Sequence, residues 1–485
     1  MKYMINPRYQ LRNEGNKIVL LMKPSPYSSS SICILHPIYA QIVSFVDGCT
    51  IEEAANKAAS AIKMPIEKIT RILNSLIENK YPILGYHSIF PENMLVKYKR
   101  GTIIRKYSLD YFKCNNLNLT LSRLKYPADI ICNLTMKCKT SCIYCYANRQ
   151  HHFIPMPIKK ICSIIEEAKE HGVVSFKLIG GDIFLYPYWK NVLIKLKECG
   201  YLPCLSTKIP IKEDDIKFIK NILPSDNPLQ ISLDSLIPDH LKQILKISPN
   251  RYIHEMKNTF ELLEKYKIPY IINSVICSIN DNIEDMISIE KFVSKSNFLK
   301  IWQINAAKCS MYLPYKYREY RPSSENVLKL QIYFENLQKT YKNIKIIPPR
   351  VLKSHNSISQ EKKETIFQAR VACSGNASSM YILPDGKVTI CEELYWHPHF
   401  ILGDLMKNSI NEVWNSEKAI NLFHIKQKEI SKSSPCSFCK EFNACHAYKH
   451  VCWRDIILAY GKDHWDFPDP FCPKAPKIEK EISMV

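Results

Sequence analysis

Asp129-Ile-Ile-Cys-Asn-Leu134 runs through Thr-Met-Lys into Cys138-Lys-Thr-Ser-Cys142-Ile-Tyr-Cys145. The first stretch reads as a short, nearly continuous apolar strand, the kind buried on both faces of a sheet. The second places three thiols within eight residues on the loop that leaves the strand's C-terminal end. Three cysteines can hold three irons of a four-iron cubane and leave the fourth open to a substrate, whereas four would close the site. Zinc or three unrelated thiols is the bland alternative. Cys132, inside the strand, reads as a packed core thiol and not as a fourth ligand.

Outward from that loop, β-rich runs alternate with amphipathic segments. The runs are Asp129 to Leu134, Val173 to Ile179, Leu202 to Leu205, Leu229 to Leu233, Tyr270 to Ile276 and Leu299 to Ile304. Between them, Ile253, Met256, Phe260 and Leu263 repeat at a helical period. Such alternation predicts parallel strands with right-handed helical crossovers, in an open sheet or a full or partial barrel. Ligands then bind beyond the C-terminal strand ends.

The rest of the chain frames this region. With 485 residues and 46% hydrophobic content, two or three packed domains are expected. No charged segment followed by an apolar run stands near Met1, and no stretch is long enough to span a bilayer, so a cytoplasmic protein without membrane contact is expected. Nineteen cysteines at clustered spacings point to metal binding more than to disulfides. The formal charge of +21 allows an acidic partner but does not choose one, because lysine is spread without a dense run.

The three-cysteine spacing, with aromatic Tyr144 before the last thiol, resembles the radical SAM superfamily, and the resemblance implies a cofactor-binding role for Tyr144. That resemblance implies a partial (β/α)6 barrel, an S-adenosylmethionine cofactor and a 4Fe–4S cluster on Cys138, Cys142 and Cys145 that reductively cleaves the cofactor to a 5'-deoxyadenosyl radical. An external electron donor such as flavodoxin or ferredoxin is implied with it. Gly180-Gly181-Asp182 is similar to the family's Gly-Gly-Glu segment, whose backbone binds the methionine amine. Ser232 and Asp234 lie in a stretch that resembles its Ser-Leu-Asp-Gly motif and inherit a cofactor-binding role. Ser206 and Thr207 are possible neighbours. The contact to the cofactor carboxylate stays open among Arg251, Lys242 and Lys246.

Cys373 is followed by twelve residues, Gly386, four residues and Cys391, then by Cys436, Cys439, Cys445, Cys452 and Cys472. Pro384-Asp385-Gly386-Lys387 reads as a hairpin turn. The spacing resembles the SPASM domain and its two auxiliary iron-sulfur clusters. By that resemblance Cys436, Cys439, Cys445 and Cys472 close one cluster, and Cys373, Cys391 and Cys452 hold the other without a fourth cysteine. Cys309 is a candidate for the gap. A zinc ribbon on Cys436 and Cys439 is the alternative. Glu392 falls where sulfatase-maturing relatives carry a general base, with a surface glutamate as the plain reading. His151, His152, His446 and His450 are ligands, bases or solvent-facing rings.

At the front, alternating stretches from Tyr9 to Leu11 and from Lys17 to Met22 suit a hairpin. A helix from Pro37 to Gly48 follows, then one opened by Thr50 and Glu53 at capping-box spacing, then a third carrying Ile66, Ile69, Leu73, Leu76 and Ile77. The pattern resembles a winged-helix RiPP recognition element related to the pyrroloquinoline quinone peptide chaperone. This implies a precursor peptide added as a strand near Ser30 to Leu35, with Ile66 to Ile77 as the facing wall. A DNA-binding winged helix is the competing reading; Lys68, Arg71 and Lys80 are a thin footprint for phosphates, so no nucleic acid is expected.

The expected domains are therefore a winged-helix element at 1–100, a barrel at 125–310, a helix and linker at 311–370 and an auxiliary-cluster domain at 371–485, with Asn326 to Tyr341 helical and Ile346 to Thr365 as linker. The architecture resembles a maturase of ribosomally made peptides, with thioether cross-linking as the favoured chemistry. The alternatives are an anaerobic sulfatase-type maturase that oxidises a Ser or Cys, and a noncatalytic metal-stabilised peptide- or DNA-binding scaffold.

Overall fold

The computed structural model describes residues 1–79, 90–120, 122–147, 153–312, 316–394, 397–447, 451–478 and 483–484. Met1–Asp129 with Lys169–Ser175 form one compact unit, and Ile130–Ala168 with Phe176–Val485 form a second.

In the first unit β1 (Lys2–Ile5), β2 (Tyr9–Asn13), β3 (Ile18–Met22) and β4 (Ser31–Leu35) precede α1 (Pro37–Ser44), β5 (Asp47–Thr50), α2 (Ile51–Ile62), α3 (Ile66–Glu78) and β6 (Leu95–Lys97). Strands β2, β3 and β4 make an antiparallel sheet with β4 at its edge, and β1 pairs with both β5 and β6. The capping box expected at Thr50 and Glu53 is present and starts α2. Ile69, Leu73 and Leu76 are fully buried on one face of α3, as their spacing predicted. The first helix is shorter than expected. It stops at Ser44, and Gly48, at φ +91°, lies in β5, where pairing with β1 competes with helix extension.

This unit runs well past residue 100. Buried Arg12 donates to the carbonyls of Tyr126 and Pro127 at 2.7 and 3.1 Å, and buried Lys17 donates to Thr120 O and Ser122 Oγ at 2.7 and 2.6 Å. The segment after β6 is thereby laced onto the hairpin, because both cations need buried acceptors.

The second unit contains β7 (Asp129–Asn133), α4 (Ile158–Glu170), β8 (Ser175–Ile179), α5 (Trp189–Glu198), β9 (Ser206–Thr207), α6 (Glu213–Ile222), β10 (Leu229–Ser232), α7 (Pro238–Leu245), α8 (Pro249–Lys265), β11 (Tyr270–Ile276), α9 (Ile283–Val293) and β12 (Leu299–Ala306). The β-rich runs thus become strands alternating with helices. Strands β9 to β12 are parallel neighbours in chain order, continued by β13 (Lys345–Ile347). Strand β8 borders β7, whose other edge carries β15 (Ser379–Ile382), β16 (Lys387–Thr389) and β17 (Gly403–Asp404). The β15–β16 turn falls at Pro384–Gly386, with Gly386 at φ +87°.

The expected third strand is displaced. Pro203 lacks an N–H, so the ladder forms only beyond it, from Leu205 O, which accepts Gln230 N, to Thr207. Past β12, α10 (Tyr317–Tyr320) and α11 (Ser324–Thr340) precede β13. The stretch expected as a linker is structured: it holds β13, β14 (Lys353–Ser354) and the start of α12 (Gln360–Gln368), which Ser359 caps by accepting Lys362 N. The C-terminal part adds α13 (Ile410–Trp414), α14 (Glu417–Phe423), α15 (Phe442–Ala447) and α16 (Trp453–Tyr460). Among the described residues no helix is long and apolar enough to cross a membrane.

Candidate active site

The three-cysteine loop is tied down on both sides. After β7, Leu134 N donates to Ile179 O at 3.0 Å, Gly181 N to Thr135 O at 2.7 Å and Asp182 N to Lys137 O at 2.8 Å. These bonds press the Gly180-Gly181 backbone against the loop. A Cβ on Gly180 would lie 2.6 Å from Thr135 O, and one on Gly181 would lie 2.3 Å from Lys137 O, so only glycine allows this approach. On the far side Ser141 N and Ile143 N donate to the carbonyls of Leu245 and Ile244 at 2.8 and 3.0 Å, satisfying acceptors that the end of α7 leaves free. Thr140 Oγ1 sits 3.2 Å from Cys138 Sγ and 3.4 Å from Cys142 Sγ.

All three thiols line a cavity of about 410 Å³ within the second unit. Gly180, Gly181, Ser206, Thr207, Lys208 and Ser232 line it too, at the C-terminal ends of strands, where parallel sheets bind ligands. The C-terminal part contributes Glu392, Glu393 and Arg454, and the segment after β12 contributes Lys308 and Cys309. Burial pushes the Cys142 thiol up to about 11, so a bound metal must take the place of its proton. Three thiols on one wall and a glycine backbone cradle beside them suit a cluster with one open iron and a ligand chelated to it. The volume falls in the range of about 300–1,000 Å³ typical of small-molecule sites.

The two aspartates at these strand ends, Asp182 and Asp234, are buried and are not among the lining residues. Asp182 is 2% exposed and accepts from Phe184 N at 3.1 Å, Thr207 Oγ1 at 2.6 Å and Lys208 N at 3.3 Å. Asp234 is 1% exposed; its Oδ2 accepts from Lys208 Nζ at 2.7 Å and from the Tyr144 hydroxyl, and its Oδ1 accepts Val275 N at 3.0 Å. Lys208 escapes the sequence reading altogether. Among 67 lysines and arginines nothing sets it apart except its place directly after a strand end, beside Ser206 and Thr207. Of the cations considered for the cofactor carboxylate, Arg251 pairs with Glu255 on the surface and neither Lys242 nor Lys246 lines the cavity.

In the cysteine-rich end, Cys439 and Cys472 both act on the Cys436 and Cys445 thiols, and Cys439 acts on Cys472, which puts the four thiols in one neighbourhood. Burial pushes Cys436 and Cys445 up to about 12, with the other thiols adding to it. Gln427 Nε2 fixes the turn between the first pair by donating to Cys436 O and Cys439 O at 3.0 and 2.8 Å. Cys391 is likewise pushed up to about 12, by burial first and also by Glu393 and Cys373. The Cys452 backbone N donates to Asp469 at 3.0 Å, and Asp455, Arg370 and Asp469 are the charges acting on its thiol. Among the described residues, no three Cys, His, Asp or Glu side chains converge at the spacing of a single metal ion.

Residues 132–293 match the profile of the Radical SAM superfamily, and residues 373–441 match SPASM, an iron-sulfur cluster-binding domain. The chain carries a radical SAM domain and a SPASM domain. No curated protein matches it by sequence. Among solved structures, Streptococcus suis SuiB bound to its precursor peptide SuiA is 16% identical, with 97% of this chain and 99% of that one covered and a TM-score of 0.64. The same enzyme bound to S-adenosylmethionine gives 0.62 at the same identity and coverage. These likenesses show a shared fold.

Within the unit that holds the radical SAM domain, the structure brings Cys138, Cys142, Cys145, Gly180, Gly181, Ser232, Tyr144 and Glu392 to one cavity, and adds Cys309 and Lys208 to it. Burial, and then Glu393, raise the Glu392 carboxyl above the usual carboxylate range. His446 stacks on Phe442 with ring centroids 4.1 Å apart and lines a small hollow with Cys373. His151, His152, His450 and Lys80 lie outside the described residues.

Proposed function

We propose that the chain modifies a ribosomally synthesised precursor peptide by radical chemistry, with thioether cross-link formation as the reaction. The observation that carries the proposal is the composition of one cavity wall. The three-cysteine loop faces the same space as Cys309 and Glu392, so the place where a cofactor would be cleaved is also lined by groups able to bind or deprotonate a substrate. The fold shared with SuiB, whose structure holds a precursor peptide, supports a peptide substrate.

Each group then has a task. Cys138, Cys142 and Cys145 would hold the SAM-binding 4Fe–4S cluster, and the Gly180-Gly181 backbone with Ser232 would orient S-adenosylmethionine. When bound, these groups supply reductive cleavage to a 5'-deoxyadenosyl radical that abstracts one substrate hydrogen, on an electron from a flavodoxin- or ferredoxin-type donor. The backbone bonds that tie the loop to Gly181, Asp182, Ile244 and Leu245 would hold reacting groups in register. Cys436, Cys439, Cys445 and Cys472 would close one auxiliary cluster, and Cys373, Cys391 and Cys452 would hold another. A thioether forms from a thiol and a C–H bond with loss of two hydrogens: the 5'-deoxyadenosyl radical would take one as an atom, a base such as Glu392 would take the thiol proton, and the remaining electron would need an acceptor such as the second of these clusters.

In the first unit, edge strand β4 and the outer face of α3 are the parts suited to a leader peptide. A shallow hollow on α3 is lined by Ile66, Thr70, Arg71, Asn74 and Ser75. Strand addition there would supply affinity through main-chain hydrogen bonds, with the hollow reading side chains.

The test is anaerobic incubation of the iron-loaded chain with S-adenosylmethionine, a reductant and a cysteine-bearing peptide encoded beside it. The expected products are 5'-deoxyadenosine and a peptide lighter by two hydrogens per cross-link, with neither formed by the Cys138→Ala, Cys142→Ala, Cys145→Ala variant. Absence of 5'-deoxyadenosine from the iron-loaded chain rejects the proposal. Glu392 in the cavity wall favours one second reading, oxidation of a Ser or Cys in the manner of a sulfatase maturase, and a carbonyl-bearing product would select it.

A further inference from the structure

Lys208 follows β9, lines the cavity that the three thiols share and is the centre of a largely buried polar knot. Its Nζ donates to Asp234 Oδ2 at 2.7 Å and to the Tyr144 hydroxyl at 2.8 Å, and it sits 5.5 Å from the centroid of the Tyr144 ring. The Tyr144 hydroxyl donates in turn to the same Asp234 oxygen. Asp234 also receives Val275 N at 3.0 Å, and its carbonyl takes a bond from Asn280 Nδ2 at 2.8 Å. The Lys208 carbonyl accepts the Tyr252 hydroxyl from α8 at 2.9 Å. Five separate pieces of backbone therefore meet at one ion pair: the residues after β9 and β10, strand β11, helix α8 and the cysteine loop. The Asp234 side chain is fully shielded from solvent and Lys208 is 15% exposed, so neither group trades its partner for water cheaply.

We infer that Lys208 is a positioning residue, which with Asp234 clamps Tyr144 and so fixes the loop between Cys142 and Cys145 relative to the strand ends. Ile143 and Tyr144 separate those two thiols, and the knot holds the Tyr144 side chain. Movement of its ring moves both thiols. The ammonium also lies close enough to act on Cys142 and Cys138 electrostatically. Asp234 and Tyr144, whose resemblance to family motifs implied cofactor contacts, are occupied with each other and with Lys208, which gives them a structural duty at the cluster.

The inference rests on the reading that this loop holds a cluster, and its test separates the two. Lys208→Met, Lys208→Arg and Tyr144→Phe are loaded with iron. For each, the midpoint potential of the SAM-reactive cluster is measured, and the steady-state release of 5'-deoxyadenosine is resolved into KM and kcat. The expected result for Lys208→Met is a more negative potential and a turnover slowed about 10- to 100-fold, the range of lost support behind metal ligands, with KM for S-adenosylmethionine nearly unchanged. Lys208→Arg should recover part of both. Tyr144→Phe removes a single oxygen, leaves the packing intact and should shift both readouts in the same direction by less. A rise in KM alone, with potential and kcat unmoved, makes Lys208 a direct cofactor contact and overturns the clamp. So does a Tyr144→Phe enzyme indistinguishable from the parent. A parent chain that takes up no iron overturns the cluster reading itself.

Discussion

At the scale of single residues, the cavity depends on contacts that leave no room for adjustment. A methyl group at Gly181 would meet two backbone carbonyls, Lys137 O at 2.3 Å and Met136 O at 2.7 Å, and backbone cannot step aside as a flexible side chain can. Gly181→Ala should therefore cost about 1–3 kcal/mol of stability and displace the loop. Thermal unfolding and equilibrium binding of S-adenosylmethionine check this: both should weaken, and unchanged binding would mean that the glycine backbone does not shape the cofactor site. The thiols were legible in the sequence because their spacing is local and their chemistry narrow. Lys208 was not, since its meaning comes from Asp234, 26 positions away, and no local pattern encodes that meeting. The burial of Asp182 was hidden for the same reason: Thr207 and Lys208, which hold it, arrive from another strand.

At the scale of elements, hydrophobic period decided most of what was readable. The spacing of Ile69, Leu73 and Leu76 gave the buried face of α3, and the Thr50–Glu53 pair marked where α2 begins. Composition alone misled at residues 346–365, where lysines, serines and prolines concealed β13 and the cap at Ser359. Two substitutions on α3 separate its inner duty from its outer one. Leu73 is fully buried, so Leu73→Ala should destabilise the first unit by about 2–5 kcal/mol, read as a lower denaturation midpoint. Arg71, in the outer hollow, carries no core contact of that kind, and Arg71→Glu should leave stability within about 0.5 kcal/mol. It should nevertheless weaken binding of the peptide leader while 5'-deoxyadenosine release without peptide stays at the parent level. If leader affinity is unchanged, the peptide does not use this face.

At the scale of the whole molecule, the chain is built as two compact units, and every cysteine assigned to a cluster falls in the second. Ligands that bind only the folded state stabilise what they touch, and metal held by buried thiols is folding free energy for that part. The first unit has its own core, from Leu11 and Ile18 through Leu76 and Phe112, made without any of those cysteines. Iron removal should therefore act unequally. After the clusters are oxidised and chelated away, amide exchange should accelerate in β7, in the loop to Cys145 and around Cys436 to Cys472. The amides of α2 and α3 should keep their protection, and a calorimetric scan of the iron-free chain should show one transition lowered and one in place. Equal loss of protection in α2 and α3 would show that the two units unfold as one, so that a cofactor in the second governs the stability of the first.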